Sequence, residues 1–299
     1  MTTKPKILVQ FDPDPQASLF DAVVAVDAGV DQLLQYAGVI PAQVQGLVHG
    51  AIFTRGPADL HHTAIFVGGS DVQAGERLLA EIRNSYFGPL RVSVMLDSNG
   101  ANTTASAAVV AASRHLSLAG ATALVLAGTG PVGQRVAHLL AREGATVRVA
   151  SRQLDRAREA CEQLRQGNVE AAVLAVQTAS PDELLAAAGD AALIVAAGAA
   201  GVELLPADVR GRCARLKVAV DLNAVPPLGI GGLQVHDKGQ DYQGVICYGA
   251  VGVGGTKMKI HRAAIQQLFT TNDRVLDVDE IFAIGKSLEG KEFGISRHA

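Results

Sequence analysis

Tryptophan is absent from the 299-residue chain, cysteine occurs three times, and charged residues make up only 18% of it. Each scarcity closes off a class of protein. Cys161, Cys213 and Cys247 are widely separated, odd in number and form no Cys-x-x-Cys, which excludes a disulfide framework and reads as reduced thiols in the cytoplasm. A net charge of −3 without a basic patch argues against nucleic acid as a partner, and 48% hydrophobic residues argue against disorder. Long hydrophobic runs are lacking too. The longest, Ala191 to Val202, is broken by glycine and falls short of the roughly 18 residues of a spanning helix, so no membrane segment is expected. The opening MTTKPKILVQF is interrupted at Gln10 and stopped by Asp12, and reads as a first strand rather than a secretory signal.

What the chain does have is glycine, 32 of them, as an α/β protein with many tight strand-to-helix turns requires. Its length suits two domains of ordinary size. The stretch LVLAGTGPVGQRVAHLLAREGATVRVASR, residues 124–152, organises the rest. A buried apolar strand stops at Gly128, and Gly128, Gly130 and Gly133 give G-x-G-x-x-G. In that motif one glycine permits the tight turn, one lets backbone approach a pyrophosphate, and one lets helix pack on strand. Pro131 suits the first helical turn, Val136, Leu139 and Leu140 form the apolar stripe, Gly144 closes the helix, and a second strand follows at 146–150. Strand, turn, helix and strand in that order place the Gly128–Gly133 turn, with Thr129, Pro131 and Val132 in it, where aligned backbone N–H groups bind a dinucleotide's phosphates, Pro131 setting the helix start without donating. An NAD reader carries an acid after the second strand. Ser151 and Arg152 stand there instead, and a guanidinium with a neighbouring hydroxyl fits a 2'-phosphate, so the expected cofactor is NADP. The other reading of Arg152 is a solvated charge where the next helix begins.

Strands alternating with helices on both sides of this unit predict an α/β fold. Before it, strands are expected at 6–11, 32–37, 63–67 and 91–96. Helices are expected at 18–28 (Ser18 as N-cap, Gly29 as stop), from Pro41, and at 71–86. Asp21 lies in a first helical turn, where a carboxylate also simply answers the helix dipole. The loop DSNGANTTA, 97–105, follows a strand at the end where α/β sheets place ligands. Its small polar residues are candidates to face a ligand, with helix capping as the alternative for Asn102, Thr103 and Thr104. Beyond the nucleotide motif, strands are expected at 169–174, 191–196 and 217–222. The second of these ends in AAGAAG, where Ala197 and Gly198 would let backbone crowd a nicotinamide ribose or would serve a plain turn. Asn223 begins a loop whose path Pro226, Pro227 and Gly229 fix, so that its side chain is expected to face the cofactor. Gly249, Gly252, Gly254 and Gly255 read as a loop before a helix carrying Lys257 and His261, four apart on one face. A lysine in a first turn is unfavourable against the dipole, so either Lys257 faces something that compensates or the cost is small. His61 and His62 have no further ligand at metal spacing, and no metal site is expected.

Over nearly its whole length the sequence resembles the NADP-dependent methylene-tetrahydromethanopterin dehydrogenases. The segments that carry this are FDPD, SLFDAVVAVDAG, TAIFVGG, FGPLRVSVMLDSNGANTTA, VLAGTGPVG, AAGAAGVELLP, DLNAVPPLGIGG and YGAVGVGGTKMKIHRA. The resemblance implies reversible hydride transfer from the methylene carbon of a tetrahydropterin to NADP. It also implies a homo-oligomer, trimeric or hexameric, of two-domain subunits with the substrate in the interdomain cleft. The expected division is an N-terminal α/β domain, 1–105 with about 270–299, and a doubly wound Rossmann domain, 106–269. Carried over by position, Asp21, Asn99, Asn102 and Lys257 would line the pterin side, with Lys257 orienting the ring, and Gly130, Pro131, Val132, Ser151 and Arg152 would hold NADP; Thr103 and His261 are further substrate-side candidates. Methylene-tetrahydrofolate is the alternative substrate, alone or as a second one. In the bifunctional folate dehydrogenase/cyclohydrolases a Tyr-x-x-x-Lys pair serves hydrolysis. Here Tyr36 is followed four residues later by Ile40, so hydrolysis of the methenyl product is not expected.

Overall fold

A computed structural model describes residues 4–167 and 172–292. The chain divides into two compact units, the first made of 1–103 with 258–299 and the second of 104–257. The first crossing lies two residues from the sequence-based boundary at 105/106. The second falls at Lys257/Met258 rather than at 269/270, inside a helix that sequence alone could not subdivide.

In the first unit β1 (Ile7–Phe11), α1 (Leu19–Asp27), β2 (Gln32–Tyr36), α2 (Pro41–Ile52), β3 (Thr63–Val67), α3 (Val72–Asn84) and β4 (Ser93–Leu96) alternate as the pattern predicts. Ser18 and Gly29 bound α1 as the sequence predicts, and Asp71 caps α3. Ser18 Oγ accepts the Asp21 N–H, Asp71 Oδ1 accepts the Ala74 N–H at the start of α3, and Gly29 turns left-handed (φ +82°) just past α1. A short 3₁₀ turn, Pro57–His62, precedes β3. All strands pair in parallel in the order β12-β4-β3-β1-β2, where β12 (Val275–Leu276) arrives from the far end of the chain. The order of the first four strands with β12 reads 2-1-3-4-5, so the switch point lies between β1 and β3. The core between sheet and helices is Val9, Phe11, Val44, Val48, Ile52, Ile65, Leu78, Ile82, Val94 and Leu96.

Helix α4 (Ala101–Ser113) carries the chain into the second unit. Its alanines and valines are buried on every side, which identifies a core helix rather than a surface one. There follow β5 (Thr122–Leu126), α5 (Pro131–Arg142), β6 (Thr146–Ser151), α6 (Leu154–Gln166), β7 (Val173–Gln177), α7 (Pro181–Ala188), β8 (Leu193–Ala196), the short α8 (Ala207–Gly211) and β9 (Val218–Asp221). Of the expected strand at 169–174, residues 169–171 lie outside the described residues, and β7 begins at Val173 and runs on to Gln177, three residues past the expected end. A hairpin that the sequence did not announce, β10 (Lys238–Tyr242) and β11 (Val245–Tyr248), completes a seven-stranded sheet in the order β10-β11-β9-β8-β5-β6-β7. Read from β7, the parallel strands follow the 3-2-1-4-5-6 order of dinucleotide-binding sheets, with the switch point between β5 and β8.

Helix α9 (Ala250–Gln267) departs from the sequence reading. It begins before Gly252, Gly254 and Gly255 and contains them, so Lys257 is not in its first turn and the dipole argument about that lysine falls away. The physical reason lies in segment 234–238. The N–H groups of Gly249 and Val251 donate to the carbonyls of Asp237 and Val235 (2.9 Å each), capping the helix start. A Cβ at Gly249 would overlap the Gln234 carbonyl oxygen, and one at Gly252 the Asp237 carbonyl oxygen. The glycines admit a close backbone approach where the pattern suggested a loop. From α9 the chain returns to the first unit, to β12 and α10 (Val278–Glu292).

Candidate functional site

In the second unit the carboxyl ends of β5, β6 and β8 build a cradle. Gly133 packs α5 on the strand end, since a Cβ there would stand 2.8 Å from both the Ala127 carbonyl oxygen and Gly128 Cα. Gly128 is similarly enclosed, with Val125 O and Val149 Cγ1 at 2.9 Å. The left-handed residue of the turn is Ala127 (φ +52°), not Gly128, so the motif's first glycine is required here for closeness rather than for its dihedral freedom. Gly130 is the N-cap of α5 and Pro131 its first residue, which leaves the N–H groups of Val132 and Gly133 among those a helix start does not satisfy internally. Gln134 Nε2 donates to the Thr129 carbonyl (2.9 Å) and steadies the turn. A Cβ at Gly130 would meet only Ala127 O (3.6 Å) and Ala197 O (4.0 Å), so the β8 loop faces the glycine turn. That arrangement fits a diphosphate in both shape and charge.

At the end of β6, Ser151 Oγ accepts the Gln153 N–H (3.2 Å) and Gln177 Nε2 reaches the Arg152 carbonyl (3.4 Å). Arg152 itself is exposed. Asn223 is buried, and its side chain is taken up locally: Oδ1 accepts the Val225 N–H (2.9 Å) and Nδ2 donates to the Pro227 carbonyl (3.1 Å). Asp221, which the sequence reading passed over, is fully buried and accepts N–H bonds from Asn223 (2.9 Å) and Ile230 (2.8 Å). Burial raises its carboxyl above the usual range, and the backbone N–H groups of Asn223, Ile230 and Gly229 oppose that rise.

In the first unit, several predicted residues meet near the carboxyl ends of β1, β3 and β4. A Cβ on Gly68 would stand 3.2 Å from Asp21 Oδ2 and 3.4 Å from Gln10 Nε2, which places Asp21 at the switch point. Asn99 is exposed and left-handed (φ +53°), with its N–H on the Gly69 carbonyl (2.6 Å). Buried Asp97, another residue passed over, takes both the N–H (2.9 Å) and the hydroxyl (2.6 Å) of Thr103, so it caps the start of α4. Asn102 Nδ2 donates to the Leu96 carbonyl (2.7 Å) and to Asp277 Oδ1 (2.9 Å). His261 is buried, with Nδ1 3.9 Å from Asp97 Oδ2 and its ring stacked on Phe66 (5.6 Å between centroids, 24°). Phe20, half-exposed beside Asp21, lies 6.4 Å from the same ring. Lys257, partly exposed in the third turn of α9, is the last residue of the second unit. Among the described residues no group of His, Cys, Asp or Glu suits a metal ion. No described helix is long and apolar enough to cross a membrane.

Comparison with known proteins agrees with this architecture. Residues 19–99 match the family model for the N-terminal domain of methylene-tetrahydromethanopterin dehydrogenase, and 124–218 match that for the NADP-binding domain of saccharopine dehydrogenase. The ligand-free 5-ketofructose reductase of Gluconobacter sp. strain CHM43 shares the fold at 14% identity, with a TM-score of 0.50 over 96% of this chain and 100% of that one. Two proteins of Methylorubrum extorquens align with 95% of this chain and 99% of their own lengths: the bifunctional protein MdtA at 45% identity, and an NAD(P)-dependent methylenetetrahydromethanopterin dehydrogenase at 30%. With these matches along its length, the chain belongs to the methylene-tetrahydromethanopterin dehydrogenase family.

Proposed function

We propose that this protein transfers a hydride reversibly between the methylene carbon of methylene-tetrahydromethanopterin and NADP, giving the methenyl compound and NADPH. The observation that carries the reading is the glycine cradle at the β5/β8 switch point with Ser151 and Arg152 at the edge where a 2'-phosphate would lie. When bound, NADP supplies the hydride acceptor. Val132 and Gly133 offer N–H groups to its diphosphate, Arg152 and Ser151 hold the 2'-phosphate, and the Ala197–Gly198 backbone bounds the nicotinamide end. On the pterin side, Asp21 and Asn99 present polar groups to the substrate. Thr103 and Asn102, bonded to Asp97, Leu96 and Asp277, hold the loop that presents Asn99. His261 supports that wall from within, on Phe66 and beside Asp97.

Losing a hydride leaves a cation delocalised over two flanking nitrogens, so this step needs no proton acceptor. Catalysis then rests on alignment, which alone can supply roughly 7 to 11 kcal/mol. Lys257 orients the pterin by a hydrogen bond at its polar edge, since a full positive charge at the reacting carbon would oppose the developing cation. Tyr36 ends exposed β2, and Ile40 stands where a Tyr-x-x-x-Lys pair would need its lysine. Hydrolysis of the methenyl product therefore lacks that pair.

The protein acts in the cytoplasm, where its buried free thiols stay reduced, and as a homo-oligomer. Leu19, Val23 and Val26 on α1 and Leu34 on β2 are 77%, 52%, 63% and 46% exposed, apolar surface that self-association would cover. Assay of the methylene derivatives of tetrahydromethanopterin and tetrahydrofolate, each with NAD and with NADP, tests the function. Turnover should be greatest with the tetrahydromethanopterin substrate and NADP. Absence of turnover with every combination, despite NADPH binding, would leave a nucleotide-binding protein and sink the enzyme reading.

A further inference from the structure

We infer that Asp221 is a positioning residue for the nicotinamide half of the cofactor, acting through the loop it holds rather than by touching the ligand; this rests on the NADP reading above. Asp221 ends β9 and pairs in register with Ala196, the last residue of β8. Its buried carboxylate grips both ends of one loop, with Oδ1 on the N–H of Asn223 and Oδ2 on that of Ile230. Inside the loop the Asn223 side chain spans from Val225 to Pro227.

This loop is bonded in turn to the one that follows β8. The Gly201 N–H donates to the Val225 carbonyl (3.2 Å), those of Leu204 and Leu205 donate to the Gly229 carbonyl (2.8 and 3.0 Å), and the Gly231 N–H returns to Leu205 (2.8 Å). Gly229 is held close, since a Cβ there would stand 2.8 Å from Asp221 Oδ1 and 3.1 Å from Ala196 Cβ. The β8 loop carries Ala197 and Gly198 and faces Gly130. In a sheet of this order the adenosine half belongs to β5, β6 and β7, with the 2'-phosphate beside Ser151 and Arg152, so the other half belongs to β8 and β9. A buried charge bonded to backbone on both ends of a loop therefore sets the wall for one half of the dinucleotide and leaves the other half untouched.

Asp221→Asn separates the two halves. It keeps the side chain's size but turns an amide donor toward N–H groups that need an acceptor. Binding is measured with NADP and with adenosine 2',5'-bisphosphate, which keeps the adenosine with its 2'- and 5'-phosphates but lacks the second phosphate of the diphosphate and the nicotinamide riboside. The expected result is a loss of at least about tenfold for NADP, with a lower kcat, while affinity for the bisphosphate stays within about twofold of wild type. Equal losses for both ligands, or no loss for either in a folded variant, would overturn the inference. Should Asp221→Asn not give a cooperative melting transition, Asn223→Ser, which removes only the span inside the loop, must show the same split. If neither variant folds, the network serves folding and not positioning. Wild-type protein that binds neither ligand would instead defeat the NADP reading itself.

Discussion

Arg152 is where the preference for NADP over NAD can be tested at a single side chain. It is exposed at the end of β6, and its main chain is tied to Gln177. A charge-assisted hydrogen bond contributes about 1.5 to 3 kcal/mol, so Arg152→Ala is expected to weaken NADP roughly tenfold to over a hundredfold and leave NAD nearly unchanged. Isothermal titration with each cofactor checks this, and equal losses would make Arg152 a structural residue. Lys257 calls for a different variant. Its place in the third turn of α9 removes any helix-dipole argument about its charge. Lys257→Gln keeps a donor at nearly the same reach, so if the lysine aligns the pterin, turnover should drop about 10- to 1,000-fold while NADPH affinity stays close to wild type. Unchanged turnover would take Lys257 out of the site, and a parallel loss of NADPH binding would move it to the nucleotide. The candidate residues have two different sources. Ser151 and Arg152 follow from a motif whose geometry is stereotyped. Asp21 and Asn99 were assigned by the family resemblance, since spacing alone reads Asp21 as answering the helix dipole; in the structure Asp21 lies against Gly68 at the end of β3 and Asn99 follows β4. Asp97 and Asp221 were not legible, because a buried carboxylate whose partners are backbone N–H groups leaves no side-chain pattern in the sequence.

Among the elements, α9 shows how glycine misleads and how it can be sorted. Gly252 is required by close approach to Asp237, whereas Gly254 lies in the same helix with nothing within 4 Å of where a Cβ would stand. Gly252→Ala should therefore destabilise by about 1 to 3 kcal/mol, as overpacking does, while Gly254→Ala should stabilise by about 0.5 to 1 kcal/mol through helix propensity. Thermal or denaturant unfolding of the two variants checks the contrast. Equal effects would mean that the contact with 234–238 does not decide this helix. The same segment explains why the start of α9 was misplaced: the partner that makes the glycines helical is distant carbonyl oxygen, which no local window reports. Regular parts were readable for the opposite reason. Ser18 as N-cap is local chemistry and stands where the sequence reading placed it, and Asp71 and the Ser180–Glu183 capping box are the same kind of local signal. The β10–β11 hairpin escaped notice because its turn uses Gln243 and Gly244, both left-handed (φ +59° and +87°), rather than an Asn-Gly or Asp-Gly pair. Lys238–Tyr242 also lacks an apolar face, and β12 is only two residues long.

At the scale of the whole molecule, the chain passes between its units inside α4 and again inside α9, at 103/104 and 257/258. Neither crossing is a flexible linker, yet each unit has its own sheet and its own buried core. Ligand linkage can therefore be read unit by unit. A ligand that binds only the folded second unit stabilises it by about 2.7 kcal/mol at 100 times its Kd, which slows exchange through global opening of that unit about a hundredfold. Native-state hydrogen exchange with saturating NADP should show that slowing in the central strands β5, β6, β8 and β9. In β1, β3 and β4 the rates should change little. Comparable slowing in both sets would mean that the units open together, and the nucleotide's stabilisation would not be confined to residues 104–257. Slowing confined to β1, β3 and β4 would place the nucleotide on the wrong sheet and remove the glycine cradle from the mechanism.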